Sequence, residues 1–427
     1  MGLKLAVIGA GSTYLPELVQ GFINRTETFP VDKLYLEDID LDKVKIVGEL
    51  VERMLKRAGL NIEVVMTDQL EPSLDGADFV FGQIRVGKLP ARILDEKLPL
   101  KYGLIGQETT GIGGFFKALR TIPVFMDIAK KMEKLCPDAF LINFSNPSGI
   151  IAETLLNNTK IKTMGLCNGP IGMISRLIKD LELTDPEIDF IGLNHLSFIV
   201  GVRENGIDYF PKALETMAGM AQLQNIPKGE LSAEAVKAMG GIPISYLQYF
   251  ALRGQKLEIL REEEQSRGEV CIDIEHDLLD MYRDVNLNEK PALLDKRGGH
   301  MYSEAAMSLA DAVYNDKQEF HIVNVLNGGT FDFMNADDCI ETGCIVGKNG
   351  AKPIRIPNFK NNYIKGLMNA VKYYEKLTIE AALEGSDSKA LAALMLNPLV
   401  GDFDMAKACY FEMKEAHKDY LPTFFKT

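Results

Sequence analysis

The sequence lacks the features that mark membrane and exported proteins. No apolar run approaches the roughly 18 residues that a membrane-spanning helix needs. Met1 and Gly2 lead directly into an apolar segment at Leu3, with no signal peptide before it. The six cysteines are scattered without the spacing of a disulfide framework, which suits a reducing compartment. We therefore expect a cytoplasmic protein with no membrane partner.

The chain also has fewer positively than negatively charged residues. The 427 residues include 47 Lys and Arg against 60 Asp and Glu, a net charge of −13. Nucleic acid or an anionic membrane surface would repel such a chain at long range, so neither is an expected partner. A phosphorylated small molecule is still compatible, because a few Arg, Lys and backbone N–H groups can bind it inside a cleft.

The first third of the chain alternates short apolar runs with amphipathic segments, which is typical of a parallel sheet with crossover helices. The predicted strands are Leu3–Ile8, Lys33–Glu37, Glu63–Thr67, Phe79–Gln83, Phe140–Phe144 and Lys162–Leu166, and the predicted helices are Leu15–Asn24, Leu41–Ala58, Phe115–Leu135 and Gly149–Asn157. Two successive βαβαβ units predict an α/β fold with a Rossmann-type, doubly wound parallel sheet at the N-terminus.

Beyond about residue 170 the pattern changes to mixed strands and helices. Turn signals stand at Asn205-Gly206 and at Lys348-Asn349-Gly350, and the segment Asn361–His417 has the periodicity of helices. We predict two domains, a dinucleotide-binding domain over residues 1–170 and an α+β domain for substrate and metal over residues 171–427. Because no long linker separates them, we expect a small-molecule site at their boundary.

A glycine loop follows the first predicted strand. Gly9-Ala10-Gly11, with Ser12 and Thr13, precedes a predicted helix whose N-terminal N–H groups can bind a pyrophosphate. Tyr14 stands where the usual fingerprint has a third glycine. Asp38 ends the second strand 24 residues later, at a spacing that suits hydrogen bonds to an adenosine ribose and disfavours a 2′-phosphate. NAD is the predicted cofactor; the alternative is an ordinary turn and a strand-ending acid.

Other polar residues follow later strands. Asn146 can hydrogen-bond a ligand at the carboxyl edge of the sheet, or simply form a turn with the next proline. Cys167 and His195, 28 residues apart, can hold a divalent transition metal, but a buried thiol and a core histidine are the alternative. Arg85 and Arg92 can bind a phosphate or carboxylate, or lie in a solvated loop.

Several motifs occur together in order along nearly the whole chain. They are Gly9–Tyr14, Gly106–Gly111, Asn143–Pro147, Gly165–Asn168, Gly192–His195, Ser245–Tyr249, Arg297–Ser303 and Leu377–Ala381. With these motifs the chain resembles glycoside hydrolase family four. The resemblance implies a fold similar to that of lactate and malate dehydrogenases, a bound NAD, and a divalent ion, usually manganese, held by Cys167 and His195.

The resemblance also implies roles for single residues. Tyr246 matches the family's base by its motif position, although a structural aromatic on a helix face is the alternative. Arg267 resembles the substrate-binding arginine, and Arg92 is a further candidate for substrate contacts. Asn168 stands where members acting on α-glycosides tend to carry Asp. Because an amide cannot act as an acid, Asn168 points to the 6-phospho-β-glucosidase branch and to a substrate contact, together with Asn146.

The implied reaction is an elimination. Transient oxidation by NAD at C3 of the sugar acidifies the C2 proton, a base removes it, the aglycone leaves, and water and the hydride return. The expected substrate is a phosphorylated disaccharide or aryl glycoside, and a homo-oligomer is expected. The alternatives are a lactate or malate dehydrogenase-like oxidoreductase, which needs a His–Asp relay and no metal, and an NAD-sensing regulator, which the lack of a DNA-binding element disfavours.

Overall fold

The computed structural model describes residues 2–220, 226, 229–297 and 302–425. Its first part alternates strands and helices as the sequence predicts. The elements are β1 (Leu3–Ile8), α1 (Leu15–Ile23), β2 (Val31–Glu37), α2 (Leu41–Arg57), β3 (Glu63–Thr67), α3 (Leu70–Leu74), β4 (Phe79–Gly82), α4 (Lys88–Lys97), α5 (Gly111–Leu135), β5 (Phe140–Asn143), α6 (Ser148–Asn158) and β6 (Lys162–Gly165). All six predicted strands and all four predicted helices are confirmed.

The second part mixes helices with antiparallel strands. Its elements are α7 (Asn168–Leu181), β7 (Glu187–Leu193), β8 (Leu196–Glu204), β9 (Ile207–Asp208), α8 (Phe210–Thr216), α9 (Ala233–Met239), β10 (Ile242–Pro243), α10 (Leu247–Ala251), α11 (Arg253–Glu262), α12 (Arg267–Tyr282), α13 (Tyr302–Tyr314), β11 (Glu319–Leu326), β12 (Cys339–Gly347), β13 (Gly350–Pro353), α14 (Asn362–Glu384), α15 (Asp387–Leu396) and α16 (Phe403–Ala416). Both predicted turns form hairpins, and the helical C-terminal segment is confirmed.

The main sheet has the strand order β13-β12-β11-β6-β5-β4-β1-β2-β3. The six strands from β3 to β6 are parallel and follow the doubly wound order, with the switch point between β1 and β4. The strands β11, β12 and β13 come from the second part of the chain and extend the sheet in antiparallel pairing. A smaller antiparallel sheet contains β7, β8, β9 and β10. The division at residue 170 stays a prediction.

Helix α5 begins four residues earlier than predicted, at Gly111 rather than Phe115. The reason is close packing by glycine, which has a low helix propensity and so hides the start of the helix. A Cβ on Gly113 would lie 2.2 Å from the Gln107 carbonyl oxygen, and one on Gly114 would lie 2.4 Å from the Thr109 backbone. The glycines let α5 begin directly against the loop that precedes it.

The parallel strands form the centre of the core. Every residue of β4 and of β5 is buried, as expected for strands covered by helices on both faces. Helix α12 packs against α2 and α4, and so joins the second part of the chain to the first. Among the described residues, we find no helix with the length and apolarity to cross a membrane. All six cysteines lie in the described ranges, where none forms a disulfide.

Candidate active site

The glycine loop lies at the carboxyl end of β1. Gly9 has φ +88°, and a Cβ there would lie 2.9 Å from the Gln83 backbone, so the turn requires glycine. The Gly11 N–H donates to Asp38 Oδ2 at 3.1 Å. The Thr13 hydroxyl is buried and has no hydrogen-bond partner among the described residues. An open hydroxyl and a close-packed glycine turn at a helix N-terminus fit the pyrophosphate of a dinucleotide.

Tyr14, at the position of the third glycine, is partly buried and packs against the core. Its ring centroid lies 5.5 Å from Arg297 Cζ, so it faces a cation of the second part of the chain. Burial raises the pKa of Tyr14 to about 12, against the opposing charge of Arg297. The loop is thereby linked to a group of arginines described below.

Asp38 lies at the end of β2, beside the loop. Its carboxylate accepts hydrogen bonds from Gly11 and, at 3.0 Å, from the Asp40 N–H. Burial raises the pKa of Asp38, and these backbone donors oppose that rise. The adjacent Glu37 has a pKa raised to about 7 by burial. A carboxylate beside the loop fits hydrogen bonding to a ribose.

Cys167 and His195, the two candidate metal ligands, are each only 3% exposed. Cys167 precedes α7, and His195 occupies the turn between β7 and β8 with φ +66°. Burial, aided by the positive charge of Lys117, lowers the pKa of His195 to about 3. The imidazole is therefore neutral and can offer a lone pair to a metal. This burial agrees with metal binding by a soft thiolate and an imidazole and equally with the alternative of a buried thiol and a core histidine.

A search of residues 2–220, 226, 229–297 and 302–425 finds no group of three or more His, Cys, Asp or Glu side chains arranged around a metal position. Cys167 and His195 would supply two ligands, a soft thiolate and an imidazole, which suit a divalent transition metal.

Tyr246 is 4% exposed and stacks on His195, with ring centroids 4.1 Å apart and planes at 28°. The phenol and the imidazole are therefore neighbours. Tyr249 lies further along, with its ring centroid 6.5 Å from that of Tyr246. Burial, and then the proximity of Tyr246, raises the pKa of Tyr249 well above its usual value. Tyr249 is thus poorly suited to act as a base.

The β7–β8 turn that carries the histidine is held by a buried carboxylate, which the sequence analysis missed. Glu341 on β12 accepts hydrogen bonds from Asn194 at 3.1 Å and from the Ser197 hydroxyl at 2.9 Å. Asn324 on β11 donates to Glu341 at 3.5 Å and to the Gly165 carbonyl at 3.1 Å. This network joins the turn to the end of β6, two residues before Cys167. The sequence signal that could have revealed this network is the single acidic residue, Glu341, within the largely apolar strand β12.

Arg92 lies on α4 and is 3% exposed, which excludes the solvated-loop interpretation for this residue. Its guanidinium binds Glu96 at 2.7 Å and Glu108 at 2.9 Å. Glu108 also binds Arg85 and, at 2.7 Å, Lys117. Burial alone would raise the pKa of Glu108, but these three cations hold it well below its usual range. Sequence reasoning included Glu108 in a motif without giving it a role and missed Lys117; the pairing of Glu108 with Arg92 depends on the packing of α4 beside the loop that precedes α5.

A second pair of arginines lies beside Arg92. Arg267, the first residue of α12, donates through Nη2 to the carbonyl oxygens of Lys296 and Arg297 at 2.9 and 3.0 Å. Arg297 Nη1 lies 3.2 Å from Cys271 Sγ, and Arg92 Nη1 lies 3.8 Å from the same sulfur. Arg92 Nη2 and Arg297 Nε are buried without partners among the described residues. We call Arg85, Arg92, Arg267 and Arg297 the arginine cluster; its open N–H groups fit a phosphate.

The two candidate asparagines lie at neighbouring strand ends. Asn146 follows β5, and its Oδ1 atom is buried without a hydrogen-bond partner in the described part of the chain. Asn168 is the first residue of α7 and is partly exposed. The motif Arg297–Ser303 is only partly visible, because residues 298–301 and the side chains of residues 302 and 303 lie outside what the structure describes.

A doubly wound sheet with a glycine loop, beside a neutral histidine, a buried cysteine and an arginine cluster, defines a dinucleotide-dependent enzyme for an anionic substrate. The model described as "Family 4 glycosyl hydrolase" matches residues 4–183, and that of its C-terminal domain matches residues 190–400. The chain therefore belongs to glycoside hydrolase family 4.

Relatives extend this assignment. The chain is 42% identical to a probable 6-phospho-β-glucosidase of Bacillus subtilis, over 99% of this chain and 98% of the relative. A 6-phospho-β-glucosidase structure from Thermotoga maritima with manganese, NAD⁺ and glucose 6-phosphate aligns with a TM-score of 0.89 and 34% identity, over 98% and 99% of the two chains. Lactate dehydrogenase of Eimeria maxima shares the fold alone, with a TM-score of 0.54 and 15% identity over 90% and 96%. The predicted fold is confirmed.

Proposed function

We propose that this chain hydrolyses 6-phospho-β-glucosides with NAD and a divalent metal. The expected metal is manganese, which is present in the related structure from Thermotoga maritima. The observation that carries the proposal is the stacking of Tyr246 on a neutral, buried His195 at 4.1 Å. A side chain that can accept a proton thus stands beside a candidate metal ligand, and a Lewis acid held there would make a neighbouring C–H proton easier to remove. The full-length similarity to 6-phospho-β-glucosidases supports the same reaction.

The cofactor sites follow from the donor groups present. The loop of Gly9, Gly11, Ser12 and Thr13 would hold the pyrophosphate of NAD, and Asp38 would hold its adenosine ribose. Cys167 and His195 would hold the metal. When bound, NAD supplies a reversible hydride acceptor and the metal supplies a Lewis acid.

The chain's own residues bind the sugar and move its proton. Arg92, whose Nη2 is buried without a partner among the described residues, would bind the 6-phosphate together with Arg267 of the same cluster. The unpartnered oxygen of Asn146 would accept from a sugar hydroxyl. Tyr246 would remove the proton at C2, and the aglycone would leave from C1. Asn168 would contact the sugar as an amide and cannot protonate the leaving group as an acid would, which favours β-glycosides.

The dehydrogenase alternative is disfavoured by the protonation state of the histidine. A lactate or malate dehydrogenase-like relay needs a histidine that gains and loses a proton near neutral pH. Burial and the charge of Lys117 lower the pKa of His195 to about 3. His195 is therefore suited to metal binding and poorly suited to a proton relay.

The decisive experiment is hydrolysis of a chromogenic aryl 6-phospho-β-glucoside with NAD and Mn²⁺ each supplied or withheld. We expect activity only when both are present. An amount of NAD far smaller than the amount of substrate hydrolysed should suffice, and NADH should not accumulate. The corresponding 6-phospho-α-glucoside serves as the control and should react more slowly. Steady NADH production, or equal activity without added or bound metal, would contradict the proposal.

We also propose that the protein is a cytoplasmic homo-oligomer. The boundary between its two domains is proposed to lie near residue 170. Self-association is supported by large apolar side chains exposed on the C-terminal helices, among them Met395 at 49%, Phe403 at 44% and Phe411 at 44%. Light scattering after size-exclusion chromatography would test this, and a monomer at micromolar concentration would contradict it.

A further inference from the structure

Helix α12 extends from the arginine cluster to the glycine loop. Arg267 is its first residue and Tyr282 its last, so the helix spans about 24 Å. Tyr282 is fully buried, and its hydroxyl donates to the Thr13 carbonyl at 2.7 Å. The same helix therefore contacts the candidate phosphate subsite at one end and the candidate NAD loop at the other.

The loop end of α12 is fixed by more than one contact. The Tyr282 carbonyl accepts from Arg53 Nη2 at 2.6 Å, and Glu275 binds Lys43 at 2.6 Å. Both basic residues lie on α2, the helix that follows Asp38. A shift of α12 would therefore move both the glycine loop and the helix next to the ribose-binding carboxylate.

The cluster end of α12 is fixed as firmly. Ser266 and Glu269 form a capping box at its N-terminus. The Gly268 N–H donates to Glu96 at 2.6 Å, and Glu96 in turn binds Arg92. A Cβ on Gly268 would lie 2.8 Å from an Ile93 side-chain carbon, so α12 and α4 touch closely at this point. A displacement of Arg92 would therefore act on the first turn of α12 through Glu96.

The contact with Thr13 leaves the ligand side of the loop open. Tyr282 engages the Thr13 carbonyl, while the Thr13 hydroxyl stays buried and has no partner among the described residues. A buried hydroxyl without a partner costs free energy, so a bound dinucleotide that supplies one would be favoured. Tyr282 therefore orients the loop without occupying its binding groups.

We propose that Tyr282 is a positioning residue for the NAD loop and that α12 couples binding of the sugar 6-phosphate at its first turn to binding of NAD at its last. The coupling is reciprocal, because each ligand must change the affinity of the other by the same factor. This inference rests on the proposed function for the identity of the two ligands.

The test is calorimetric titration of NAD into the full chain with Mn²⁺, without and with saturating glucose 6-phosphate. In the native protein we expect glucose 6-phosphate to tighten NAD binding by about fivefold or more. Tyr282→Phe removes one buried hydrogen bond and should weaken NAD binding roughly two- to tenfold. It should also bring the coupling factor close to one, which loss of a merely structural bond would not do.

Two further variants make the test specific. Tyr410→Phe is the matched control, because its hydroxyl donates to Asp387 at 2.6 Å on the C-terminal helices; it should keep the native coupling factor. Glu275→Gln releases α12 from Lys43 at a half-buried position and should lower the coupling factor without threatening the core. The inference would be overturned if the native protein bound NAD with the same affinity with and without glucose 6-phosphate. It would also be overturned if both Tyr282→Phe and Glu275→Gln kept the coupling factor of the native protein. Absence of NAD binding to the native protein would instead overturn the proposed function.

Discussion

Replacing Glu341 by glutamine should remove a pH dependence from the stability of the fold. Glu341 is 1% exposed, and burial raises its pKa to about 7, although bonds from Asn194 and Ser197 oppose the rise. The folded state therefore binds the proton more tightly than the unfolded state does. The stability that this group contributes is fully present below the unfolded pKa of 4.5 and is lost as the pH rises through about 7.

The size of the effect follows from the displacement of the pKa. A rise from 4.5 to about 7 corresponds to roughly 3 kcal/mol at a pH well above both values. Between pH 5 and pH 8 the native protein should lose about 2 to 3 kcal/mol through this group. Glutamine has nearly the same shape, accepts from Asn194 and donates to the Ser197 hydroxyl, so the variant should lose much less over the same range.

The assay is urea unfolding of the metal-free protein at pH 5 and pH 8, with a chelator present. The change in the free energy of unfolding between the two pH values should be about 2 kcal/mol smaller in Glu341→Gln than in the native protein. Glu63→Gln, at an exposed position of β3, is the control and should match the native change. Equal changes in the native protein and in Glu341→Gln would refute the assignment of a raised pKa to this carboxyl.

Three further predictions test the reaction. Tyr246→Phe keeps the stacked ring but removes the phenolic oxygen, so kcat should fall by roughly 10²–10⁴-fold while NAD binding is retained; full activity would remove Tyr246 from the mechanism. Turnover in D₂O should place deuterium at C2 of the product, observed by NMR, whereas direct displacement at C1 would leave C2 unlabelled. Cys167→Ser and His195→Ala should each abolish activity and keep the native circular dichroism spectrum; normal turnover after chelation would exclude this metal site.

Much of the fold was predictable because each element of the first part has a local signature. Apolar runs gave the parallel strands, and Asn205-Gly206 gave the β8–β9 hairpin. The start of α5 was not predictable, because Gly113 and Gly114 serve a close approach to the preceding loop rather than a helical pattern. The extension of the sheet by β11 depends on a contact between residues about 160 positions apart, which no local pattern encodes.

Some residues of the candidate site were likewise predictable from the sequence and others were not. The glycine loop and Asp38 were predictable, because a strand, a turn and a helix specify them locally. The network of Glu341 was not, because it joins residues 147 positions apart, and the ion pair of Glu108 with Arg92 was not, because it depends on how α4 packs beside the loop before α5. Arg92 was ambiguous from its sequence, and only its burial at the contact of α4 with α12 distinguishes it from a solvated cation.

The pairing of β11 with β6 has a consequence for dissecting the protein. A fragment ending near residue 170 would keep the glycine loop and all six parallel strands, but it would lack the Asn324 amide that donates to Gly165. Its β6 strand would become a free edge with unpaired backbone groups. Free edges of this kind recruit strands from other molecules. A cofactor-binding half produced by truncation should therefore aggregate, and a soluble version would need a cap on β6.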